Sequence, residues 1–220
     1  MSGAALDTES FAMFGRLMRT VHGSLVFERR ARVIGRAVLE MLPRQGRVLD
    51  VGTGDGSIAQ SWGSNVPGLI VEGIDVLVRP TTHIPVRGFD GLHIPYQDKS
   101  VDVVTLIDVV HHASDPRRLL AEVSRVARNA VIIKDHIARS RIDHLTLGLM
   151  DWVGNAPHGV PSPHRYFSWG EWLQHFRDAG LLLESINDKP ALYPWPWTHL
   201  FGRRLHFIAR LRPVTEISGY

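Results

Sequence analysis

Short apolar runs alternate with amphipathic stretches along most of this chain. Each run is bounded by charged or glycine-containing turns and is short enough for a strand that is buried on both faces. Strands of this kind are predicted at 48–51, 71–75, 100–108 and 131–133. Strands that alternate with helices favour an α/β protein with a mostly parallel sheet.

Apolar stripes and capping residues predict the helices. Residues 8–42 carry two apolar stripes, which indicate one or two helices before the first strand. An aspartate cap followed by a proline, Asp115-Pro116, opens a helix in the middle of the chain. A capping box formed by Ser168 and Glu171 starts another helix nearer the C-terminus.

The last third of the chain departs from simple alternation. We predict a helix over 142–152, a loop rich in proline and glycine over 154–163, a sixth strand from Leu181, an aromatic loop over 193–197 and a seventh strand over 205–209. We expect the two loops to lie above the carboxyl edge of the sheet, where ligands bind in open α/β folds.

A glycine-rich turn follows the first predicted strand and its acidic residue Asp50. Glycine stands at every second position of this turn, at Gly52, Gly54 and Gly56. Glycine lets the main chain turn sharply and lets a ligand approach the backbone closely. A dinucleotide fingerprint requires glycine where Ser57 stands, and no Gly-Lys-Ser/Thr triplet of a phosphate-binding loop follows. The turn therefore indicates a nucleotide-type site that matches neither phosphate-binding motif.

This motif, Asp50-x-Gly-x-Gly-x-Gly, resembles the first motif of the class I S-adenosylmethionine-dependent methyltransferases. The stretch 94–126 is similar to the ubiquinone- and menaquinone-biosynthesis-like (type 11) branch of that superfamily, and the resemblance covers about residues 25–135. The matching positions are Pro95-Tyr96, Asp98, Ser100, Asp102, Asp108-Val109-Val110-His111-His112, Glu122 and Arg125-Val126. The segment 127–130 departs from the family's Pro-Gly-Gly turn, and we expect its asparagine to supply the left-handed conformation.

The resemblance implies a fold and a domain organisation. The fold is a Rossmann-like three-layer α/β sandwich with a mostly parallel seven-stranded sheet whose last strand is antiparallel. A single methyltransferase domain is expected over 1–220, with an N-terminal helical cap at 8–42 and an insert at 136–168 over the active site.

The resemblance also implies S-adenosylmethionine as the methyl donor and S-adenosylhomocysteine as the product. Asp75, at the tip of the second strand, lies about 20 residues after the turn, a spacing that suits an acid accepting both ribose hydroxyls. In the family an aspartate at the position of Asp90 accepts from the adenine amine. The residues expected to bind the donor are Asp50, Gly52, Thr53, Gly54, Gly56, Asp75, Val76, Asp90, Gly91 and Asp108.

Methyl transfer to a hydroxyl or an amide also requires removal of a proton from the acceptor, a step for which histidine is suited. The foremost candidates are His112, His136 and His144, and the further ones are His158 and His164. The side chains expected to line an aromatic substrate pocket are Trp152, Tyr166 and Trp195. Packing of the cap alone is the alternative role for each of these three.

The residue composition excludes several kinds of site and chemistry. The chain has no cysteine, which excludes disulfides, a thiolate nucleophile, cysteine-ligated zinc and iron–sulfur clusters. No histidine pair has the H-x-x-x-H or H-E-x-x-H spacing, so no metal is predicted. No apolar run reaches ~18 residues, so no membrane-spanning helix is expected. The N-terminus lacks a signal-peptide pattern, and we expect a cytoplasmic protein.

The charge pattern favours a small-molecule acceptor over nucleic acid. The formal net charge is only +3, and the basic run at 28–32 is interpreted as a solvated helix face. Adenine-N6 methyltransferases place Asn/Asp-Pro-Pro-Tyr/Phe after the fourth strand, where this chain has Asp108-Val109-Val110-His111. A non-catalytic partner subunit with the same fold is the other alternative. The sequence names neither the acceptor atom nor the oligomeric state.

Overall fold

The computed structural model describes residues 28–155, 165–193, 195 and 204–214, and these form a seven-stranded sheet. Its strands are β1 (Gln45–Val51), β2 (Gly68–Asp75), β3 (Val86–Gly88), β4 (Val101–Ile107), β5 (Ala127–His136), β6 (Leu181–Asn187) and β7 (His206–Pro213). Their order across the sheet is β3-β2-β1-β4-β5-β7-β6. Strand β7 lies antiparallel between β5 and β6, and the other strands run in one direction.

Helices cover both faces of the sheet. They are α1 (28–39), α2 (Ser57–Asn65), α3 (Pro116–Val126), α4 (Arg141–Asn155) and α5 (Trp169–Asp178), and a 3-10 turn spans Val110–His112. Helices α3 and α5 share one buried apolar cluster with the sheet, through residues such as Leu119 and Trp172. Helices α1 and α2 share the other, through Ile34 and Trp62. The predicted three-layer Rossmann-like sandwich with an antiparallel last strand is confirmed.

Both helix starts that were predicted from capping residues are present. The carboxylate of Asp115 accepts a hydrogen bond from the N–H of Arg118 at 3.1 Å, and proline occupies the first turn of α3. At α5 the hydroxyl of Ser168 accepts from the N–H of Glu171, whose carboxylate accepts from the N–H of Ser168 at 2.7 Å. Each contact satisfies a backbone donor that the helix leaves without an internal partner.

The expectation for the segment 127–130 is wrong. Strand β5 begins at Ala127 directly after α3, with an extended backbone of φ −70° and ψ 129°. Asn129 has no left-handed conformation. Instead its side chain and that of Arg128 donate to Asp102, at 3.3 Å and 2.8 Å. Pairing with β4 draws the whole segment into the sheet, so no left-handed turn is needed between α3 and β5.

The carboxyl ends of β1, β4 and β5 lie next to one another in the middle of the sheet. From β1 the chain continues to β2 on one side, whereas β4 and β5 lie on the other side. A crevice forms at such a reversal of strand order, and ligands bind there in open α/β sheets.

Several predictions fall outside the described residues. These are the cap over 8–27, the loop over 156–163, most of the aromatic loop, and the candidates His158 and His164. The single-domain organisation with a cap and an insert stays a prediction. Within the part of the chain that is described, no helix combines the length and the apolar character needed to cross a membrane.

Candidate active site

Three glycines shape the turn between β1 and α2. Gly52 has φ +71°, and a Cβ there would come within 2.5 Å of Val109 Cγ2. Gly56 has φ +77°, and a Cβ there would come within 2.5 Å of Ile84 Cγ1. Gly54 has φ +62°, but its Cβ position has no atom within 4 Å. Larger residues are therefore excluded at both ends of the turn, and its middle presents bare backbone to open space.

Three hydrogen bonds tie this turn to the tip of β2, and one of them runs from the N–H of Thr53 to the carbonyl oxygen of Ile74 at 3.3 Å. The N–H of Gly52 donates to the carbonyl oxygen of Ile74 at 2.8 Å, and the N–H of Gly54 donates to Oδ2 of Asp75 at 2.7 Å. Oδ1 of Asp75 accepts from the N–H of Leu77 at 2.9 Å. Because a carboxylate offers about four acceptor positions, Asp75 retains capacity for hydroxyl donors of a ligand.

A small apolar surface lies beside the tip of β2. Val76 is 65% exposed, and a Cβ on Gly91 (φ +83°) would lie 3.2 Å from Val76 Cγ1. Oδ1 of Asp90 accepts from the N–H groups of His93 (2.6 Å) and Leu92 (2.8 Å), and Oδ2 from the His93 ring (2.7 Å). The hydrogen bonds from His93 lower the pKa of Asp90. The structure thus places Val76 and Gly91 side by side, and both oxygens of the neighbouring Asp90 already accept hydrogen bonds from Leu92 and His93.

A pocket of about 690 Å³ opens next to the turn, within the usual range for small-molecule sites. Its wall contains predicted donor-binding residues, predicted bases and two further side chains: Gly52, Thr53, Gly54, Asp108, His112, His136, Arg30 and His111. The pocket therefore joins the glycine turn to the histidines at the ends of the neighbouring strands.

Asp50 is the residue of β1 that lies two positions before Gly52, and it is not part of the pocket wall. Its side chain is 3% exposed, and its Oδ1 accepts from the hydroxyl of Thr105 at 2.5 Å. Burial raises the pKa of Asp50 to about 6, although the hydrogen bond from Thr105 lowers it. The donor contact predicted for Asp50 stays a prediction.

Asp108, at the end of β4, lies between two cations. Lys134 of β5 is fully buried and pairs with Oδ1, and Arg30 of α1 donates to Oδ2 at 3.3 Å. Burial alone would raise the pKa of Asp108, but Lys134, His136 and Arg30 outweigh it and lower the pKa. Asp108 has φ +57°, a conformation that costs a non-glycine residue about 1–3 kcal/mol. It is therefore an anion that its neighbours hold in place.

Asp135, the next residue of β5, is fully buried and accepts four hydrogen bonds. Its Oδ1 accepts from Nδ1 of His111 (2.6 Å) and from the backbone N–H and Nδ1 of His136 (2.7 and 3.3 Å). Its Oδ2 accepts from the N–H of Val110 at 3.1 Å. Burial alone would raise the pKa of Asp135, but His111 and His136 lower it. Burial, followed by repulsion from Lys134, lowers the pKa of His136.

This cluster has the residue types of a metal site, because histidine and carboxylate are common ligands. Four side chains bring potential ligand atoms within 4.8 Å of one another: Asp108, His111, Asp135 and His136. However, Lys134 and Arg30 already neutralise Asp108, and both imidazole Nδ1 atoms bond to Asp135. We therefore interpret the cluster as a hydrogen-bond network and not as a ligand set.

The predicted bases occupy different positions. His136 is 3% exposed on the pocket wall, and His112 is half-buried on the same wall with its ring 3.9 Å from that of His111. His144 is exposed on α4, with Nδ1 bonded to the carbonyl oxygen of Ser140 at 3.0 Å, and it is not part of the pocket wall. The structure thus brings two of the three together.

The predicted aromatic residues are also dispersed. Tyr166 is 6% exposed, and its ring centroid lies 5.9 Å from that of His111 and 6.0 Å from that of His136, so it packs behind the histidines. Trp195 is 79% exposed. Trp152 lies on α4, but its side chain is outside the described residues. A shared aromatic pocket stays a prediction.

Sequence reasoning missed four members of the site as functional residues: Arg30, His111, Lys134 and Asp135. The basic run 28–32 predicts a solvated helix face for Arg30, yet its side chain is only 25% exposed and bonds to Asp108. Lys134 and Asp135 follow three apolar residues within one buried strand. Charged residues inside a buried strand need partners, and that was the available signal.

The comparison with known families agrees with this geometry. The family described as "Methyltransferase domain" matches residues 26–186. The chain therefore belongs to this family of methyltransferase domains, which confirms the resemblance to class I S-adenosylmethionine-dependent methyltransferases. The type 11 branch is consistent with the match.

Individual relatives share sequence or fold. The chain is 28% identical over 167 residues to the dimethylglycine N-methyltransferase of Parasynechococcus marenigrum (strain WH8102), covering 69% of this chain and 56% of that protein. It is 27% identical over 175 residues to the 27-O-demethylrifamycin SV methyltransferase of Amycolatopsis mediterranei (strain S699), covering 72% and 62%. The chain thus spans less than two thirds of either relative.

A solved structure supports the fold. A chain of the Haloferax volcanii complex that contains the Trm112 methyltransferase activator superposes with a TM-score of 0.66 at 17% identity, covering 91% of this chain and 97% of that chain. At this level of identity, the likeness shows a shared fold.

Proposed function

We propose that this protein transfers a methyl group from S-adenosylmethionine to a small-molecule acceptor and releases S-adenosylhomocysteine. The observation that carries the proposal is the glycine turn fixed against Asp75, with open space at Gly54 and a pocket beside it. The membership of the methyltransferase-domain family supports the same reaction.

The residues around the turn fit a nucleoside that carries no phosphate. Asp75 retains acceptor positions for ribose hydroxyls, and the exposed Val76 beside Gly91 offers an apolar surface for a base. Arg30 and Asp108 place opposite charges on the pocket wall where we propose that the amino-acid moiety binds, with Asp108 already paired with Lys134 and Arg30. The proposed donor-binding residues remain Asp50, Gly52, Thr53, Gly54, Gly56, Asp75, Val76, Asp90, Gly91 and Asp108.

When bound, S-adenosylmethionine supplies a methyl group on a sulfonium whose leaving group is a neutral thioether. The chain's own contribution is therefore mainly to align the acceptor with that methyl group and to exclude water. The wall that His112 and His136 share with Gly52 offers a place for the acceptor. His112, His136 and His144 are the proposed bases, and Trp152, Tyr166 and Trp195 the proposed substrate contacts.

The names of the curated relatives give two chemistries for the acceptor. One relative methylates the nitrogen of dimethylglycine, and the other methylates an oxygen of a rifamycin. Both acceptors are small molecules. A small-molecule acceptor is therefore part of the proposal for this chain.

Calorimetric titration with S-adenosylhomocysteine tests the proposal. We expect binding to the native protein and at least about tenfold weaker binding to Asp75→Asn, because a hydrogen bond to a charged group contributes about 1.5–3 kcal/mol. Asp178→Ala, a change at an exposed acid of α5, is the matched control and should bind like the native protein. Absence of binding to the native protein, or equal affinity in Asp75→Asn, would overturn the proposal.

A further inference from the structure

The end of β5 presents a carboxylate and an imidazole that the donor site does not explain. Asp135 has no solvent exposure and accepts from Nδ1 of both His111 and His136. Two backbone N–H groups, of Val110 and His136, fix the same carboxylate. Four donors on one buried carboxylate hold it as an anion in a single orientation.

This arrangement selects one tautomer of His136. Because its Nδ1 is bonded to a carboxylate that has no proton to donate, Nδ1 carries the hydrogen and Nε2 carries the lone pair. His136 also forms part of the pocket wall together with Gly52 and Gly54. A neutral imidazole oriented by a carboxylate and placed on a pocket wall is suited to accept a proton from a bound molecule.

The other histidine bonded to Asp135, His111, also lines the pocket, but it is only 1% exposed. Nε2 of His111 is fully buried, so His111 contributes to the orientation of Asp135 and not to contact with an acceptor. His144 is exposed on α4. Of the two histidines that bond to Asp135 and line the pocket, His136 is therefore the one assigned to contact with an acceptor.

We propose that His136 is the general base for the acceptor, that Asp135 is its positioning residue, and that the acceptor group is a hydroxyl. This inference rests on the proposed methyl transfer. An amine can lose its proton to water before it binds. A hydroxyl has a pKa well above 7, is a weak nucleophile while protonated and loses its proton as the new bond forms, so a hydroxyl acceptor uses a base held in the site, whereas a free amine attacks through its own lone pair.

The acceptor oxygen forms a bond to the methyl carbon as the carbon–sulfur bond breaks, and the bonding pair stays on sulfur. The hydroxyl proton passes to Nε2 of His136, and the adjacent carboxylate of Asp135 stabilises the resulting imidazolium. His136 then releases the proton to solvent as the products leave.

The charged and titratable groups that face His136 come from every neighbouring element. They are Lys134 and Asp135 on β5, Asp108 after β4, His111 in the 3-10 turn, Tyr166 before α5, His206 on β7 and, through Asp108, Arg30 on α1. Burial and repulsion from Lys134 lower the pKa of His136, although Asp108 and Asp135 oppose this shift.

The first test needs no acceptor. Nitrogen-15 NMR of histidine-labelled protein with S-adenosylhomocysteine should show His136, assigned by loss of its signals in His136→Gln, as the Nδ1–H tautomer at pH 7. Asp135→Asn should alter that tautomer balance. A His136 that is the Nε2–H tautomer, is positively charged at pH 7, or coordinates stoichiometric zinc found by elemental analysis would refute the assignment.

The second test measures turnover with a panel of phenols and secondary alcohols and with N,N-dimethylglycine, the probe that has no hydroxyl acceptor. We expect methylation of hydroxyl compounds, and a kcat at least about 100-fold lower in His136→Gln, since a positioned base contributes about 10²–10⁴-fold. Affinity for S-adenosylhomocysteine should be unchanged. His175→Gln on α5, which packs against Phe167, is the matched control and should keep native turnover.

The two proposals fail differently. If S-adenosylhomocysteine does not bind the native protein, the proposed function fails. If it binds, and His136→Gln methylates as fast as the native protein or N,N-dimethylglycine is the preferred acceptor, the base assignment fails alone. If the protein methylates none of the compounds in the panel, the NMR result decides the assignment.

Discussion

The carboxylates on the two sides of this pocket, which are buried or half-buried, are stabilised in opposite ways. Asp50, in β1 directly before the glycine turn, accepts from the hydroxyl of Thr105 and has no ion pair among the described residues, and burial raises its pKa to about 6. Asp108 and Asp135, at the ends of β4 and β5, meet cations and imidazoles that lower their pKa values in spite of burial. Burial alone therefore does not decide ionisation, because the partners that the fold supplies outweigh it.

The same difference separates the roles of the two sides. We call the residues 50–56 with Asp75 the turn side. The histidine side consists of Arg30, Asp108, His111, Lys134, Asp135 and His136. On the turn side, backbone conformation and hydrogen-bonded main-chain N–H groups shape the site, next to a buried Asp50 whose pKa is raised. On the histidine side, fixed charges from α1, β4, the 3-10 turn and β5 orient one another. We infer that the turn side determines donor affinity and that the histidine side determines chemistry and contributes to stability.

Among the substitutions that test this contrast, replacement of Lys134 should have the largest effect on stability. Lys134→Met leaves Asp108 with Arg30 as its only paired cation among the described ion pairs, so we expect the free energy of unfolding to fall by about 3–4 kcal/mol. Urea denaturation, monitored by circular dichroism, measures this free energy. Lys189→Met, at an exposed position, should change stability by less than about 0.5 kcal/mol. Equal stability of the two variants would show that the buried pair does not support the fold.

Replacement of Asp50 tests the opposite pKa shift. The folded pKa of about 6 exceeds the ordinary 3.8, so the folded state holds a proton that the unfolded state has lost between these values. Native stability should therefore decrease as the pH rises from 4 to 7 through this group. Asp50→Asn removes the effect, and its unfolding free energy relative to the native protein should rise by up to about 3 kcal/mol over that interval. A pH-independent difference would contradict the raised pKa.

Replacement of Gly52 tests the backbone side. Gly52→Ala places a Cβ at φ +71° and within 2.5 Å of the Val109 side chain. The backbone conformation costs about 1–2 kcal/mol for alanine, and displacing the Val109 side chain costs a similar amount. Affinity for S-adenosylhomocysteine should fall about 100-fold by calorimetry. Gly63→Ala in α2, where a Cβ makes an ordinary 3.5 Å contact, is the matched control and should bind normally. Similar binding by both variants would mean that the turn geometry is not needed.

What the sequence could predict follows the same division. The glycine turn and Asp75 are local patterns with a fixed spacing, and the structure brings them together through the hydrogen bond to Gly54. The alternation of apolar runs predicted the strands, although β5 extends to Ala127 and absorbs a segment expected to be a turn. Strand pairing, which depends on residues far apart in the chain, overrode the local preference of Asn129.

The histidine side could not be assembled from the sequence because its contacts join distant positions. Arg30 and Asp108 are 78 residues apart, and His111 and Asp135 are 24 apart. No periodicity indicates that Arg30 turns inward from an otherwise basic segment. Only the register of β4 against β5, which pairs Ile107 with Lys134, places the ends of these strands together.

A crystal structure of the complex with S-adenosylhomocysteine tests the central claim most directly. We predict density for the nucleoside beside Asp75 and Gly91, and for the thioether next to the turn at Gly52, on the pocket wall shared with His136. Density for the ligand in another part of the molecule, or a pocket closed by side chains around an intact turn, would contradict the account.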